Sequence, residues 1–197
     1  AFTPKMLKKV EDDVRRAAAS IVDEVLRDRG GDFVTQVAAR LPLKVICDMM
    51  GIPEEHYETV FTRSNIILGA GDPEYVAQSD DPMAVITQLM TAGGDLHTLV
   101  SELGAARRAN PTDDLTSALV NASIDGESLT DQELGSFFIL LVVAGNETTR
   151  NAIAHALNLL TINPSQREVL MADLEGALPG AVEEVVRFAS PVIWMRR

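Results

Sequence analysis

Apolar residues recur along most of the chain at three- and four-residue intervals, the spacing of a helical face. From 4 to 29, Met6, Val10, Val14, Ile21 and Val25 stand in register among charges, and Gly30-Gly31 stops the run. One long amphipathic helix is expected there. Asp32 is placed to cap a second helix whose apolar side includes Phe33, Val37, Leu41, Val45, Ile46 and Met49, and which Pro42 should bend or interrupt. Gly51-Ile52-Pro53 closes it. A third helix is expected over 54–68 and a fourth from 82 to about 109, weakened in the middle by Gly93-Gly94. With the intervening GAGDPEY loop they make residues 54–110 a candidate substrate lid. A short helix over 115–122 follows, and Asp125-Gly126 is a strong turn signal with a small hairpin as an option.

The longest pattern begins at Thr130, where Glu133 completes a capping box, and runs over 130–162 until Asn163-Pro164 ends it. At roughly 1.5 Å per residue such a helix crosses a whole domain. Before Ala144 it is apolar on nearly every side and therefore expected to be enclosed. Phe137, Leu140, Leu141, Ala144 and Thr148 share one face. Ala144 and Gly145 remove bulk where Glu147 and Thr148 add an acid and a hydroxyl. That combination admits a flat cofactor or small ligand beside groups able to move protons. Close helix packing, with Thr148 bonded to a preceding carbonyl and Glu147 paired to Arg150 or another base, accounts for the same residues. A last helix over 181–188 places Glu184 and Arg187 three apart, as a surface pair or, beside Val182, Val185 and Phe188, as a buried one.

Composition narrows the field. The chain has 197 residues, 46% of them hydrophobic, enough for one domain or a large portion of a bigger one. Seventeen basic against 29 acidic residues give a net charge of −12, which argues against a nucleic-acid binder. The single cysteine, Cys47, excludes a disulfide or a multi-cysteine metal site within the chain. His56, His97 and His155 are widely separated in sequence, so no metal ligands are assigned. The apolar run over 137–144 is too short to span a membrane, and the opening residues carry no export pattern, so a cytoplasmic location without a membrane anchor is expected. The first residue is not methionine, so the natural start is expected upstream.

AGNETT at 144–149 resembles the oxygen-binding helix signature of cytochrome P-450 enzymes, and EVVR at 184–187 resembles their glutamate-x-x-arginine motif. Their order and separation, the NPSQREV helix start between them and the following SPV strengthen the likeness. AFTPKML, LPLKVICDMMGIP and ASPVIWMRR extend it over essentially the whole chain, which is identified as a member of the bacterial branch.

The resemblance implies a mainly α chain forming the central helical portion of that fold. The first sheet region and the C-terminal cysteine loop would be absent. It implies haem b (iron protoporphyrin IX), with the axial cysteine downstream of this chain, and Cys47 as a packed thiol. Glu147 and Thr148 match the proton-delivering acid and hydroxyl; Ala144 and Gly145 match the small residues over the haem, where the helix is expected to open locally. Arg197 matches a haem-propionate partner, with Arg196 the less secure candidate. Leu140, Val143, Val192 and Trp194 are candidates for the substrate pocket, with Phe61, Ile66, Ile67 and Leu68 as further apolar candidates. Glu184 and Arg187 match a structural ion pair. Implied partners are O2, a hydrophobic small-molecule substrate, a ferredoxin and its NAD(P)H-dependent reductase.

SFFILLVVAGNETTRNAI resembles actinobacterial enzymes that hydroxylate terminal methyl groups of methyl-branched lipids and sterol side chains. Other substrate classes, such as terpenoids or macrolides, are the alternative within the family. Outside it stand a non-catalytic helical interaction domain and a terpenoid-handling helical enzyme. The latter needs clustered metal-binding carboxylates, and Asp80-Asp81 and Asp113-Asp114 lack a partner set.

Overall fold

A computed structural model describes residues 4–70, 72, 82–123 and 125–192. Among them the helices are α1 (Pro4–Asp28), α2 (Arg40–Met50), α3 (Tyr57–Leu68), α4 (Pro82–Ala109), α5 (Leu115–Val120), α6 (Asp131–Ile162), α7 (Pro164–Ala172) and α8 (Leu174–Ala189). The expected mainly α class is what is found, with no strand among the described residues.

α1 buries Ala17 and Ile21, leaves Val22 and Leu26 open, and is tied to α2 by an Arg40–Glu24 ion pair of 2.7 Å. Asp32 does act as a cap, accepting from the Thr35 backbone N–H at 2.7 Å. What it starts is a π-helical turn over Val34–Ala38, closed by the Ala39 N–H donating to Val34 O at 2.8 Å, and α2 begins only at Arg40. Pro42 supplies the reason: its nitrogen has no hydrogen for the Ala38 carbonyl and its ring crowds that carbonyl, so the wider turn falls just before it. α2 ends at Gly51, whose φ of 74° only glycine adopts freely; the Ile52 N–H returns to Cys47 O at 2.9 Å. Asp114 stands against Gly51 where a side chain would lie, and Arg107 grips both, donating to Asp114 Oδ2 at 2.5 Å and to Gly51 O at 3.0 Å. One arginine thus joins the end of α2, the end of α4 and the cap of α5.

The core lies between α2, α4, α5 and α6, with Cys47, Met50, Leu96, Val100, Leu115, Leu134, Phe138 and Val142 fully buried. Gly93-Gly94 does not interrupt α4, which runs 28 residues without a break. Two other glycines carry the packing. Gly104 of α4 lies against Leu134, 2.6 Å from where a Cβ would sit, and Gly135 of α6 lies under the His97 ring. α3 is fastened to α4 by Arg63–Asp95 at 2.8 Å. Asp125 and Gly126 both have positive φ, 55° and 87°, the pattern of a type I′ turn, and among the described residues it is followed by a bridge residue, Glu127.

α6 has the 32 residues that its cap and stop signals define. In its capping box the Glu133 N–H donates to Thr130 Oγ1 at 3.2 Å and the Thr130 N–H to Glu133 Oε2 at 2.9 Å. Asn163-Pro164 then turns the chain into α7, and Asp173 caps α8 by accepting from the Gly176 N–H at 3.1 Å. No residue of α8 is buried; Leu174, Leu178, Val182, Val186 and Phe188 are about half exposed or more. No helix among the described residues is long and apolar enough to cross a membrane.

The two kinds of glycine should respond oppositely to an added methyl group. Gly94→Ala, at a helical site with open space around it, should stabilise the full-length protein by up to about 1 kcal/mol through reduced backbone entropy. Gly135→Ala, forced against His97, should cost about 1–3 kcal/mol. Thermal unfolding of both variants checks this, and equal behaviour at the two sites would contradict the described helix crossing.

Candidate functional site

Leu134, Phe138, Val142 and Asn146 follow at four-residue steps and are all fully buried, so they define the face that α6 turns to the core. At 3.6 residues per turn, Leu140 and Ala144 then fall on the opposite side. Leu140 is 65% exposed and Ala144 is exposed with it. Val143 is half-buried at the edge between the two faces. An apolar, small-residue strip is left open along the middle of the helix.

Thr148, one turn beyond Ala144, donates from Oγ1 to Ala144 O at 2.8 Å. The hydroxyl is therefore parked against the backbone of the open strip. The expected local opening of the helix is absent, because α6 is α-helical from Asp131 to Ile162. The two small residues part company. Ala144 lies on the open strip, whereas a Cβ on Gly145 would come 3.1 Å from Ile46 Cδ1, so Gly145 lets α2 approach.

Glu147 is ion-paired with Arg150 and accepts from Asn151 Nδ2 at 3.0 Å. The Arg150 side chain is only 13% exposed and that of Glu147 28%, so this pair is better shielded than a surface bridge. Arg150 also reaches α3, donating to Asn65 Oδ1 at 3.3 Å. Acid and hydroxyl thus stand at consecutive positions, the acid tied sideways to α3 and the hydroxyl tied back along α6. Asn146, fully buried between them and the core, was not singled out by sequence reasoning. Its signal was legible: it is the one polar residue on the stripe of 134, 138, 142 and 146.

Cys47 is fully buried in α2, and desolvation, aided by the Asp48 charge, pushes its thiol up to about 12. Such a thiol resists becoming the thiolate that metals bind. Among the described residues no three of His, Cys, Asp and Glu gather as a metal-holding group. Of the further apolar candidates, Ile66 is buried with Ala92, while Phe61 and Ile67 pack on the core. Val192 is half exposed; Trp194, Arg196, Arg197 and, within the candidate lid, residues 71 and 73–81, Asp80-Asp81 among them, lie outside the described residues.

Arg187 donates twice to Glu184, from Nε and from a terminal nitrogen, each at 2.7 Å. The two side chains are 68% and 61% exposed, so of the two arrangements open from the sequence this chain shows the surface pair. The hydrogen bond from Arg187 holds the Glu184 carboxyl below its ordinary value and raises the guanidinium in turn.

No family model matches the chain. A methyl-branched lipid omega-hydroxylase of Mycobacterium tuberculosis is 47% identical over the whole chain, which covers 45% of that protein. A steroid C26-monooxygenase of Mycolicibacterium smegmatis is 36% identical, again over the whole chain and 43% of the relative. The solved structure of a Mycobacterium marinum cytochrome P-450 in complex with pseudoionone superposes with a TM-score of 0.85 at 44% identity, over 95% of this chain and 44% of that one. The chain belongs to the cytochrome P-450 family.

It spans a little under half the length of the curated relatives it matches. In this cytochrome P-450 the AGNETT signature occupies the stretch of α6 where the open strip, the acid and the hydroxyl meet, and the glutamate-x-x-arginine pair lies on α8.

The sign of the Glu184 shift fixes a pH dependence. A carboxyl lowered in the folded state contributes stability above its unfolded value and loses it as pH falls through the lowered one. Thermal unfolding of the full-length protein and of Glu184→Gln, followed from about pH 7 to about pH 3, should differ at the upper end and converge at the acid end. A difference that grows in acid would contradict the pairing.

Proposed function

We propose that the full-length protein is a haem-dependent monooxygenase that hydroxylates the terminal carbon of a methyl-branched lipid or sterol side chain. One oxygen atom of O2 enters the C–H bond and the other leaves as water with two protons. The two electrons come from NAD(P)H through a reductase and a ferredoxin. The observation that carries this reading is the open strip of Leu140 and Ala144 ending at Thr148 and Glu147, inside the AGNETT signature.

The residues present fit one side of a haem b. An exposed apolar stretch of Leu140 and the small Ala144 leaves room for a planar macrocycle, and Thr148 brings a hydroxyl to its edge. Cys47 does not fit the iron, being buried on the far side in α2, so the thiolate is assigned to a part of the protein outside this chain. Arg197 is assigned to a haem propionate. When bound, the haem supplies oxygen binding and electron transfer. Thr148 Oγ1, free to rotate away from the Ala144 carbonyl, both accepts and donates a proton at one atom. Glu147 feeds that atom from the α3 side, where Arg150 and Asn151 orient its carboxylate.

Leu140, Val143, Val192 and Trp194 are assigned to the pocket wall, and α3 and α4 with their connecting loop to its lid. The names of the two relatives, an omega-hydroxylase and a C26-monooxygenase, support a chain-end substrate. A terminal C–H bond is harder to oxidise than an internal one, so selectivity must come from a shape that holds the chain end in place.

The ferrous-carbonyl complex of the full-length protein should show the red-shifted Soret band of thiolate ligation, and an imidazole-type spectrum would contradict the assignment. Thr148→Ala should keep substrate binding and divert reduced oxygen to peroxide, while Glu147→Gln should slow turnover by on the order of 10². Product formed per electron is the measurement, and unchanged coupling in both variants would remove the relay.

The substrate reading is checked separately. With reductase, ferredoxin and NAD(P)H, branched-lipid and sterol substrates should be hydroxylated at the chain end in preference to straight fatty acids and macrolides. Predominant internal hydroxylation, or macrolide turnover alone, would overturn the substrate and leave the monooxygenase standing.

A further inference from the structure

Four buried side-chain oxygen or nitrogen atoms among the described residues have no hydrogen-bond partner, and three of them belong to consecutive residues of α6. They are Nδ2 and Oδ1 of Asn146 and Oε2 of Glu147. Glu147 Oε2 is paired in charge with Arg150 but receives no well-directed hydrogen bond. Buried polar atoms without partners are costly and uncommon, and a cluster of them marks a place where something polar is held.

The surroundings define its chemistry. Asn146 is the last residue of the buried stripe, and Arg150, one turn on, reaches Asn65 Oδ1 on α3 at 3.3 Å. Ser64, beside Asn65, is also fully buried and donates to Phe61 O at 3.0 Å. Where α3 packs on α6, the apolar core therefore gives way to a polar cell. The atoms there without a hydrogen-bond partner are Asn146 Oδ1 and Nδ2, an acceptor and an amide donor, and Glu147 Oε2, an acceptor that already touches the Arg150 guanidinium. A cation would compete with Arg150 for the carboxylate. An anion would be repelled by that carboxylate and brings no hydrogens for the acceptors. A small neutral species that both donates and accepts fits, and water is that species.

We propose that this cell between α3 and α6 binds ordered internal water, held by Asn146 and shared with Glu147, and that Asn146 is a positioning residue for that carboxylate. At 3.6 residues per turn, Asn146 and Thr148 project roughly 200° apart around α6. The water accordingly meets Glu147 from the side away from the Thr148 hydroxyl. The carboxylate gains a neutral proton-exchanging neighbour that does not pass through the substrate face. The effect on turnover rests on the monooxygenase reading; the water site itself does not.

The test uses the full-length, haem-loaded protein with Asn146→Leu, which keeps similar bulk without polar atoms, and Asn146→Ser, which keeps a hydroxyl and leaves room. Crystal structures that resolve water should show it within hydrogen-bond distance of the Asn146 amide and Glu147 Oε2 in the natural protein, retained with serine and lost with leucine. Product per electron should fall about threefold or more for leucine, with an altered solvent deuterium isotope effect, and stay within about twofold for serine. An Asn146 amide bonded directly to another protein atom, a dry cell, or unchanged coupling after the water is lost would overturn the proposal. If the leucine variant fails to retain haem, the natural protein and the serine variant decide by the same criteria. Failure of the haem reading is distinguished by the ferrous-carbonyl spectrum, which does not depend on Asn146.

Discussion

Where α4 crosses α6, Gly104 receives the side chain of Leu134 and Gly135 receives the ring of His97. Each helix has removed a side chain at the point where the other presents one, so the two axes approach closely over Leu96, Val100, Leu134 and Phe138, all buried. A close crossing leaves a helix little freedom to rotate about its own axis, since rotation would drive side chains into backbone. The rotational setting of α6 is fixed there, far from its polar stretch. Every later position then follows from the helical repeat.

That constraint distributes the AGNETT signature around the helix. Ala144 falls on the open strip, Gly145 toward Ile46 of α2, Asn146 into the core, Glu147 beside Arg150 at the α3 edge, and Thr148 back on the open side. Consecutive residues thus have unlike tasks because the helix points them in unlike directions. The acid is held by α3 through Arg150 and Asn65, so movement of α3 is transmitted to the carboxylate through one guanidinium. Among the described residues the hydroxyl is held by its own helix, at Ala144 O. Adjacent groups in the sequence are therefore coupled to different parts of the fold.

Much of this was legible in the chain. The extent of α6 follows from the Thr130–Glu133 box and the Asn163-Pro164 stop, and α1 from its apolar stripe and the Gly30-Gly31 break, because those signals act within one turn of the backbone. Pro42 announced an interruption without revealing that a π-turn would absorb it. Glycines were harder: Gly93-Gly94 looked disruptive and leaves α4 unbroken, whereas Gly104 and Gly135 looked ordinary and set the core. What distinguishes them is the neighbour across the interface, which one helix does not encode. The exposure of Glu184–Arg187 and the burial of Asn146 are long-range facts of the same kind.

α8 completes the reasoning from the opposite direction. Its apolar residues stand half exposed or more, so burial, at about 25 cal/mol per Å² of apolar area, contributes little to fixing it within this chain. Its local order rests on the Asp173 cap and on the bidentate Glu184–Arg187 pair. An exposed pair of that kind adds little stability while water competes for both partners. Its worth lies in geometry, since the planar guanidinium is held against the carboxylate at two points and its remaining donors project in a set direction. Covering the apolar face of α8 would desolvate the pair, strengthening the attraction and making the loss of either partner far more costly. The same two residues are therefore a weak contact or a strong one according to what lies over the helix.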